Sequence, residues 1–255
     1  MVGLKVFAIA NGKKSGMAKP ATKPQEQPSG IAPLNLTDLA DRYGSDKGSI
    51  KHRYTELYQM LFLPHRTRAI TFLEMGLQIG GPEHGIDADR ATTDLPSVRM
   101  WLEYFPKAAI HGLDVSDFGW FRHDRFTFHR CDMDRREHIA AVAATMPDFD
   151  IILDDASHAS HHQQNAFLAL FPRLKPGGLY IIEDLRWQPE AYERPGITRT
   201  AELMGGFSTL RSFTHSDADM EAAFTALAPE ISGCFVFQVR YDKKRKDQVA
   251  VIHKR

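Results

Sequence analysis

The residues best suited to chemistry crowd into one stretch, FDIILDDASHASHHQQNAF, from Phe149 to Phe167. Three aliphatic residues, Ile151, Ile152 and Leu153, run into Asp154 and Asp155, followed by Ser157 and His158 and then by His161 and His162. A strand alternates its side chains, so Asp154 and Asp155 point to opposite sides and one of them faces a site. A neutral imidazole titrates near neutral pH, so His158, just beyond the carboxylates, is suited to accept a proton. A second acidic pair, Glu183 and Asp184, ends the apolar run GGLYII. Carboxylates from neighbouring strand ends, without cysteine, suit a hard cation such as Mg2+. The spacing of His158, His161 and His162 matches no standard zinc pattern, and the last two read as surface or supporting residues of the next helix.

These groups need a sheet to carry them. From Ala69 onward strand and helix patterns alternate. AITFLEMG, AIHGLDV, FTFHRCD, FDIILDD and GGLYIIED read as strands; SVRMWLEYF (with Ser97 as its cap), DRREHIAAVAATM and HQQNAFLALFPRL read as helices. Such alternation implies a parallel sheet covered on both faces. GCFVFQVRY and QVAVIHKR flank the charged run DKKRKD, which reads as a solvated turn, and predict an antiparallel pair at the C-terminal end. The stretch between them and the sheet, beginning TAELMGG, is helical and loop-like. Residues 35–68 form a helical segment, with Thr37 as an N-cap, Gly44 as a stop, the polar loop GSDKGSIKH, and a second helix in HRYTELYQMLF. Residues 1–34, rich in Lys, Pro, Gln, Gly and Ala, read as a flexible tail, leaving 69–255 as the main domain.

In open parallel sheets the ligand lies outside the carboxyl ends of the strands. Here the strands end in acid: Glu74, Asp114, Asp132, Asp154 with Asp155, and Glu183 with Asp184. EMGLQIGG is not the dinucleotide fingerprint, and no phosphate-cradling G-x-x-x-x-G-K-[ST] is present, although Gly76 and Gly80/Gly81 would let the backbone approach a ligand. Asp114 can accept both hydroxyls of a ribose and Asp132 the exocyclic amine of adenine. Each alone could equally cap a helix. Together with the glycine turn they suggest an adenosine ligand with no phosphate, as in S-adenosylmethionine.

Composition narrows the classes. The chain has 255 residues, 43% hydrophobic, and 32 basic against 32 acidic residues, so no global field points to nucleic acid. No apolar stretch approaches the roughly 20 residues of a membrane span, and the N-terminus lacks the pattern of a signal peptide. Two distant cysteines, Cys131 and Cys234, make no disulfide framework, so a cytoplasmic location is expected.

HRYTELY, LEMG, SVRMWLEYFP, HGLDVSD, ILDDASH and LFPRLKPGGLYIIEDL together resemble the sugar O-methyltransferases of macrolide biosynthesis, the mycinamicin and demethylmacrocin type, from about Asp46 to Leu185. The resemblance implies a Rossmann-like class I methyltransferase fold: a mostly parallel seven-stranded sheet, helices on both faces and a C-terminal antiparallel hairpin. It implies S-adenosyl-L-methionine and Mg2+ as cofactors and a small-molecule hydroxyl, on a sugar or glycoside, as acceptor. It further implies that Asp155, Glu183 and Asp184 hold the metal, that His158 is the catalytic base, and that Glu74, Gly76, Asp114, Ser116 and Asp132 contact the cofactor. Tyr54 and Trp187 are candidates for the acceptor pocket, with core packing the alternative. The chain departs from the family in the loop LQIGGPEHGIDADRATTDLP, in RWQPEAYERPGITRT after the second acidic pair, and in having no counterpart of the family's large N-terminal auxiliary domain. Catechol-type acceptors, a cephalosporin-hydroxylase-like activity and a non-catalytic cofactor-binding protein are the competing readings, the last opposed by the intact DDASH and IED. A homo-oligomer is left open.

Overall fold

The computed structural model describes residues 33–78, 93–240 and 246–255. Residues 1–32 of the expected tail, Gly80 and Gly81 with most of their loop, and residues 242–245 of the charged turn lie outside the described residues.

Two short helices come first, α1 (Leu36–Tyr43) and α2 (Tyr54–Phe62). The expected cap of α1 is corrected: the Asn35 side chain, not Thr37, accepts from the Asp38 N–H, because Asn35 is the last residue still extended. Gly44 does end the helix, in the left-handed conformation that glycine adopts without strain. Thereafter come β1 (Thr71–Met75), α3 (Pro96–Tyr104), β2 (Ala109–Asp114), β3 (Phe126–Arg130), α4 (Arg136–Thr145), β4 (Phe149–Asp154), α5 (Ser160–Leu170) and β5 (Leu174–Ile182). The chain ends with α6 (Thr200–Leu210), α7 (Ala218–Leu227), β6 (Ile231–Arg240) and β7 (Lys246–Lys254). Ser97 does not cap α3: Pro96 opens that helix with its preset backbone, and the Ser97 hydroxyl turns inward to donate to Glu74.

The seven strands form one sheet in the order β3-β2-β1-β4-β5-β7-β6. The first five are parallel and β6 pairs antiparallel with β7, as the sequence pattern predicts; β7 also pairs antiparallel with β5. β1, β2, β4 and β5 are largely buried, which is why they read as mostly apolar runs, whereas β3 at the sheet edge is half-buried to exposed. On one face α1, α2 and α3 pack an aromatic cluster that includes Phe62, Phe72, Trp101 and Phe105. On the other, α4 to α7 bury Phe167, Tyr180, Phe207 and Phe224. The strand order reverses between β1 and β4, so the crevice at their carboxyl ends is the topological switch point.

At that point two chain segments touch. Asp155 N–H donates to the Met75 carbonyl and Gly76 N–H to the Leu113 carbonyl, both at 2.9 Å, tying the strand ends together. Gly76 has φ +78°, and a Cβ there would lie 2.2 Å from the Asp155 carbonyl oxygen and 2.6 Å from the Ala156 Cα. Backbone on backbone leaves no flexible atom to yield, so only glycine fits.

Candidate active site

The ends of β4 and β5 build a buried corner of charge. Asp155 follows β4 directly; Glu183 and Asp184 follow β5. The register pairs Asp154 with Ile182, which brings both acidic pairs to the same height on adjacent strands. Asp154 and Asp155 diverge as strand alternation requires. Asp154 is buried, with Oδ1 accepting from the Ala156 N–H at 3.3 Å and Oδ2 without a hydrogen-bond partner among the described residues. Asp155 faces the corner.

The central group there is one that sequence reasoning does not single out. Lys47, from the polar loop between α1 and α2, is 1% exposed. Its ammonium donates to Asp155 and, at 3.2 Å, to Glu183 Oε2, and lies 3.9 Å from Glu74 Oε1. Helix α2 adds two phenols: Tyr58 donates to Glu183 at 2.6 Å and Tyr54 to Asp184. The helical spacing of Tyr54 and Tyr58 marks them as inward-facing, but nothing in GSDKGSIKH distinguishes a buried lysine from a solvated one. Tyr54, a candidate for the acceptor pocket, is buried and supports a carboxylate instead.

Electrostatics follow from these contacts. Burial alone would discharge Lys47, but Asp155, Glu183 and Glu74 outweigh it and hold its pKa well above the ordinary lysine value. Burial opposes the charge on Asp155 too, yet Lys47 and then His158 keep that carboxylate below its usual range. Glu183 is pushed well up, by burial first and by the neighbouring Asp155 second. Glu74 is raised to about 7 by burial, tempered by Lys47. Asp247 joins this corner from β7, raised to about 6 by burial and by Asp184.

Two backbone positions in the corner are unusual. His158 has φ +61° and Asp184 φ +52°. Each left-handed non-glycine residue costs on the order of 1–3 kcal/mol, and such positions concentrate at functional sites. Here the turns aim His158 Nε2 at Asp184 Oδ2, 3.5 Å away. Trp187 presents its ring edgewise to His158, with centroids 5.3 Å apart. One ligand atom each of Asp155, His158 and Asp184 lie within 4.8 Å of one another, and Glu183 flanks them. Oxygen donors dominate this set, which fits a hard divalent cation; Lys47 now holds part of the charge that such an ion would hold.

A cleft of about 550 Å³ opens beside the corner, lined by Gly76, Gln78, Asp114, Asp132, Met133, Asp155, Tyr192 and Arg194 among others. Its size is that of a small-molecule site. Gly76, Asp114, Asp132 and Asp155 thus come together from four strand ends. Asp114 is pinned by its neighbours: Oδ2 accepts from the Leu77 N–H at 2.8 Å and Oδ1 from the Ser116 N–H at 2.9 Å. Asp132 Oδ1 accepts from the Asp134 N–H at 3.1 Å. Glu74 and Ser116 stand apart from this lining. The Glu74 carboxylate is fully buried, accepting from Ser97 Oγ at 2.8 Å, and the Ser116 hydroxyl is buried with no hydrogen-bond partner among the described residues. His161 and His162 are buried in the cleft wall rather than placed at the surface, because the first turn of α5 packs under the loops after β3 and β5.

Sheet order, switch-point cleft and acid-tipped strands define a Rossmann-like class I methyltransferase fold, as the resemblance implied. The chain is 40% identical over 151 residues to the 8-demethyl-8-alpha-L-rhamnosyl tetracenomycin-C 2'-O-methyltransferase of Streptomyces olivaceus, covering 59% of this chain and 38% of that protein. It is 31% identical over 222 residues to the L-olivosyl-oleandolide 3-O-methyltransferase of Streptomyces antibioticus, covering 83% and 54%. Among solved structures it is similar to the MycE methyltransferase of the mycinamycin biosynthetic pathway in complex with Mg, SAH and mycinamycin VI, at 28% identity and a TM-score of 0.64 over 87% of this chain and 54% of that one. The chain therefore spans about half the length, or less, of the relatives it matches. No protein-family model matches it. Among the described residues no helix is long and apolar enough to cross a membrane.

Proposed function

We propose that this chain is an S-adenosylmethionine-dependent, metal-assisted O-methyltransferase acting on a sugar hydroxyl of a glycosylated natural product. The observation that carries the reading is the convergence of Asp155, Glu183, Asp184 and His158 beside a cleft whose wall is formed by Gly76, Asp114 and Asp132. The curated relatives methylate glycosylated natural products, and the MycE complex holds Mg and SAH, which supports the same cofactors here.

Asp155, Glu183 and Asp184 would hold the Mg2+. A bound divalent cation lowers the pKa of a coordinated hydroxyl and orients it. Gly76 admits the cofactor close to the backbone, Asp114 accepts the ribose hydroxyls and Asp132 the adenine amine. His158 takes the proton from the acceptor hydroxyl, its ring set by Asp184 on one side and Trp187 on the other. Tyr54 and Tyr58 fix the metal-site carboxylates so that little reorganisation accompanies reaction. Holding the two reactants in line and excluding water is the protein's main contribution to rate. The two buried free thiols, Cys131 and Cys234, fit a reducing cytoplasm.

The test combines binding with turnover. S-adenosylhomocysteine should bind with micromolar affinity, roughly −8 kcal/mol, and methyl transfer to a panel of deoxysugar glycosides should require a divalent ion. His158→Ala should leave both ligands bound but slow transfer by about 10²–10⁴-fold. Asp155→Asn should shift activity to much higher metal concentration. Activity that survives chelation and both substitutions would sink the metal mechanism. If His158→Ala instead abolishes metal binding, His158 is a ligand and the base lies elsewhere.

A further inference from the structure

We propose that His161, His162 and Asp134 form a second divalent-cation site, suited to Zn2+ rather than Mg2+, set in the wall of the cleft and separate from the Asp155–Glu183–Asp184 corner. Both imidazoles converge on one carboxylate oxygen: His161 Nε2 is 3.0 Å and His162 Nε2 3.4 Å from Asp134 Oδ1. One ligand atom of each residue falls within 4.8 Å of the other two. A tetrahedral zinc with bonds of about 2.0–2.1 Å has ligand-to-ligand edges of about 3.3–3.4 Å. The two imidazole-to-carboxylate separations already stand near that edge length.

The surroundings favour the same reading. Successive residues on a helix normally diverge by about 100°. At the start of α5 these two rings instead lie 4.2 Å apart, centroid to centroid. His162 is held from behind, its Nδ1 paired with Ser157 Oγ at 2.6 Å. That is how a metal-binding imidazole is fixed by a second partner, leaving Nε2 for the ion. His161 is 4% exposed, and its Nδ1 is buried with no hydrogen-bond partner among the described residues. Metal binding requires neutral imidazole. Burial lowers the pKa of both rings, which favours that neutral form. Arg194 reaches the same Asp134 oxygen at 2.9 Å, but its side chain is 56% exposed and can turn to solvent when an ion takes its place. Two nitrogen ligands and one oxygen suit zinc, whereas the oxygen-rich corner suits magnesium; the two sites select different ions. Asp134, His161 and His162 all line the cleft. A bound ion therefore narrows it and weakens its organic ligand, a consequence that rests on the cofactor reading above.

Calorimetric titration of the full chain with Zn2+, in saturating Mg2+, tests the site. One zinc should bind, and His161→Gln and Asp134→Asn should each weaken it by roughly tenfold or more. Asp184→Asn, in the other cluster, should leave it unchanged. Circular dichroism checks that each variant is folded, and Asp134 is exposed enough that its substitution spares the core. No zinc binding, or binding lost with Asp184→Asn and kept in both other variants, overturns the proposal. S-adenosylhomocysteine is then titrated into zinc-free and zinc-loaded protein, with weaker binding expected in the second. Equal affinity refutes the shared wall. Failure to bind the zinc-free protein refutes the cofactor reading and leaves the zinc result standing.

Discussion

Asp114 and Asp155 each close an apolar parallel strand, yet their carboxylates are held by different kinds of partner. Asp114 accepts from the backbone N–H groups of Leu77 and Ser116, both in loops at the same strand ends. Asp155 is held by a side chain 108 positions away, the ammonium of Lys47. The same split separates Asp132, bonded to the nearby Asp134 N–H, from Glu183 and Asp184, which take Lys47, Tyr58 and Tyr54 from the N-terminal helical segment. The Asp114 and Asp132 carboxylates of the cleft wall are thus held by nearby backbone, and the metal corner by long-range side-chain contacts. The 35–68 segment is therefore structurally part of the metal corner. It should tune Mg2+ affinity and stability, while Asp114 and Asp132 should answer to cofactor and not to Mg2+.

The largest effect expected from that division is at Lys47. Lys47→Met leaves Glu74, Asp155 and Glu183 buried together without their cation, and breaking a buried ion pair from one side costs about 3–5 kcal/mol. Urea unfolding should show that loss in metal-free protein, and saturating Mg2+ should restore a large part of it by supplying the missing charge. Equal stability of variant and wild type without metal would mean that the corner is not held by Lys47.

The same division explains how far the sequence is legible. Strand order aside, the sheet can be read because period-two and continuous apolar runs report burial directly. The acids of the site can be read because they sit at strand ends, as with Asp114 and Asp155. Lys47 cannot, because its burial depends on residues more than a hundred positions distant, and a lysine between Asp46 and Gly48 has the local character of a solvated loop. The starts of α1 and α3 depart from expectation for a smaller reason. Thr37 and Ser97 have capping chemistry, but the backbone turns helical before them. Asp247 belongs by its neighbours to a charged turn, whereas the start of β7 carries it to Asp184.

A second effect, of similar size, is a pH dependence at Asp154, the last residue of β4. Burial raises its pKa from 3.8 to about 7. The folded state then keeps a proton that the unfolded chain has released. Between about pH 4 and pH 7 stability falls as pH rises, and above pH 7 the full penalty applies. At about 1.4 kcal/mol per pH unit, the displacement is worth on the order of 4 kcal/mol. Asp154→Asn removes this penalty while keeping an oxygen for the Ala156 N–H. The variant should match wild type near pH 4 and become the more stable by several kcal/mol at pH 8. Parallel stability curves across that range would place the titration elsewhere.

The smallest effect sharpens the contrast most. Asp114→Ala removes a carboxylate that sits on the cleft wall and is held by the Leu77 and Ser116 N–H groups. If Asp114 accepts the ribose hydroxyls, S-adenosylhomocysteine should bind more than tenfold more weakly, a loss of at least about 1.4 kcal/mol. The N–H groups of Leu77 and Ser116 lose their acceptor too, so a comparison with Asp114→Asn separates the two causes: the amide keeps one oxygen for the backbone but cannot accept twice from a ribose. Asparagine should therefore recover part of the stability and part of the affinity, because it serves one of the two backbone N–H groups. Mg2+ affinity should be the same in both variants and in wild type, because the metal carboxylates are positioned by α2 and the Lys47 loop. A metal affinity that falls in step with cofactor affinity would show that the two regions are one cooperative unit, coupled through the contact of Gly76 with Asp155, and the division drawn from their hydrogen bonds would not survive.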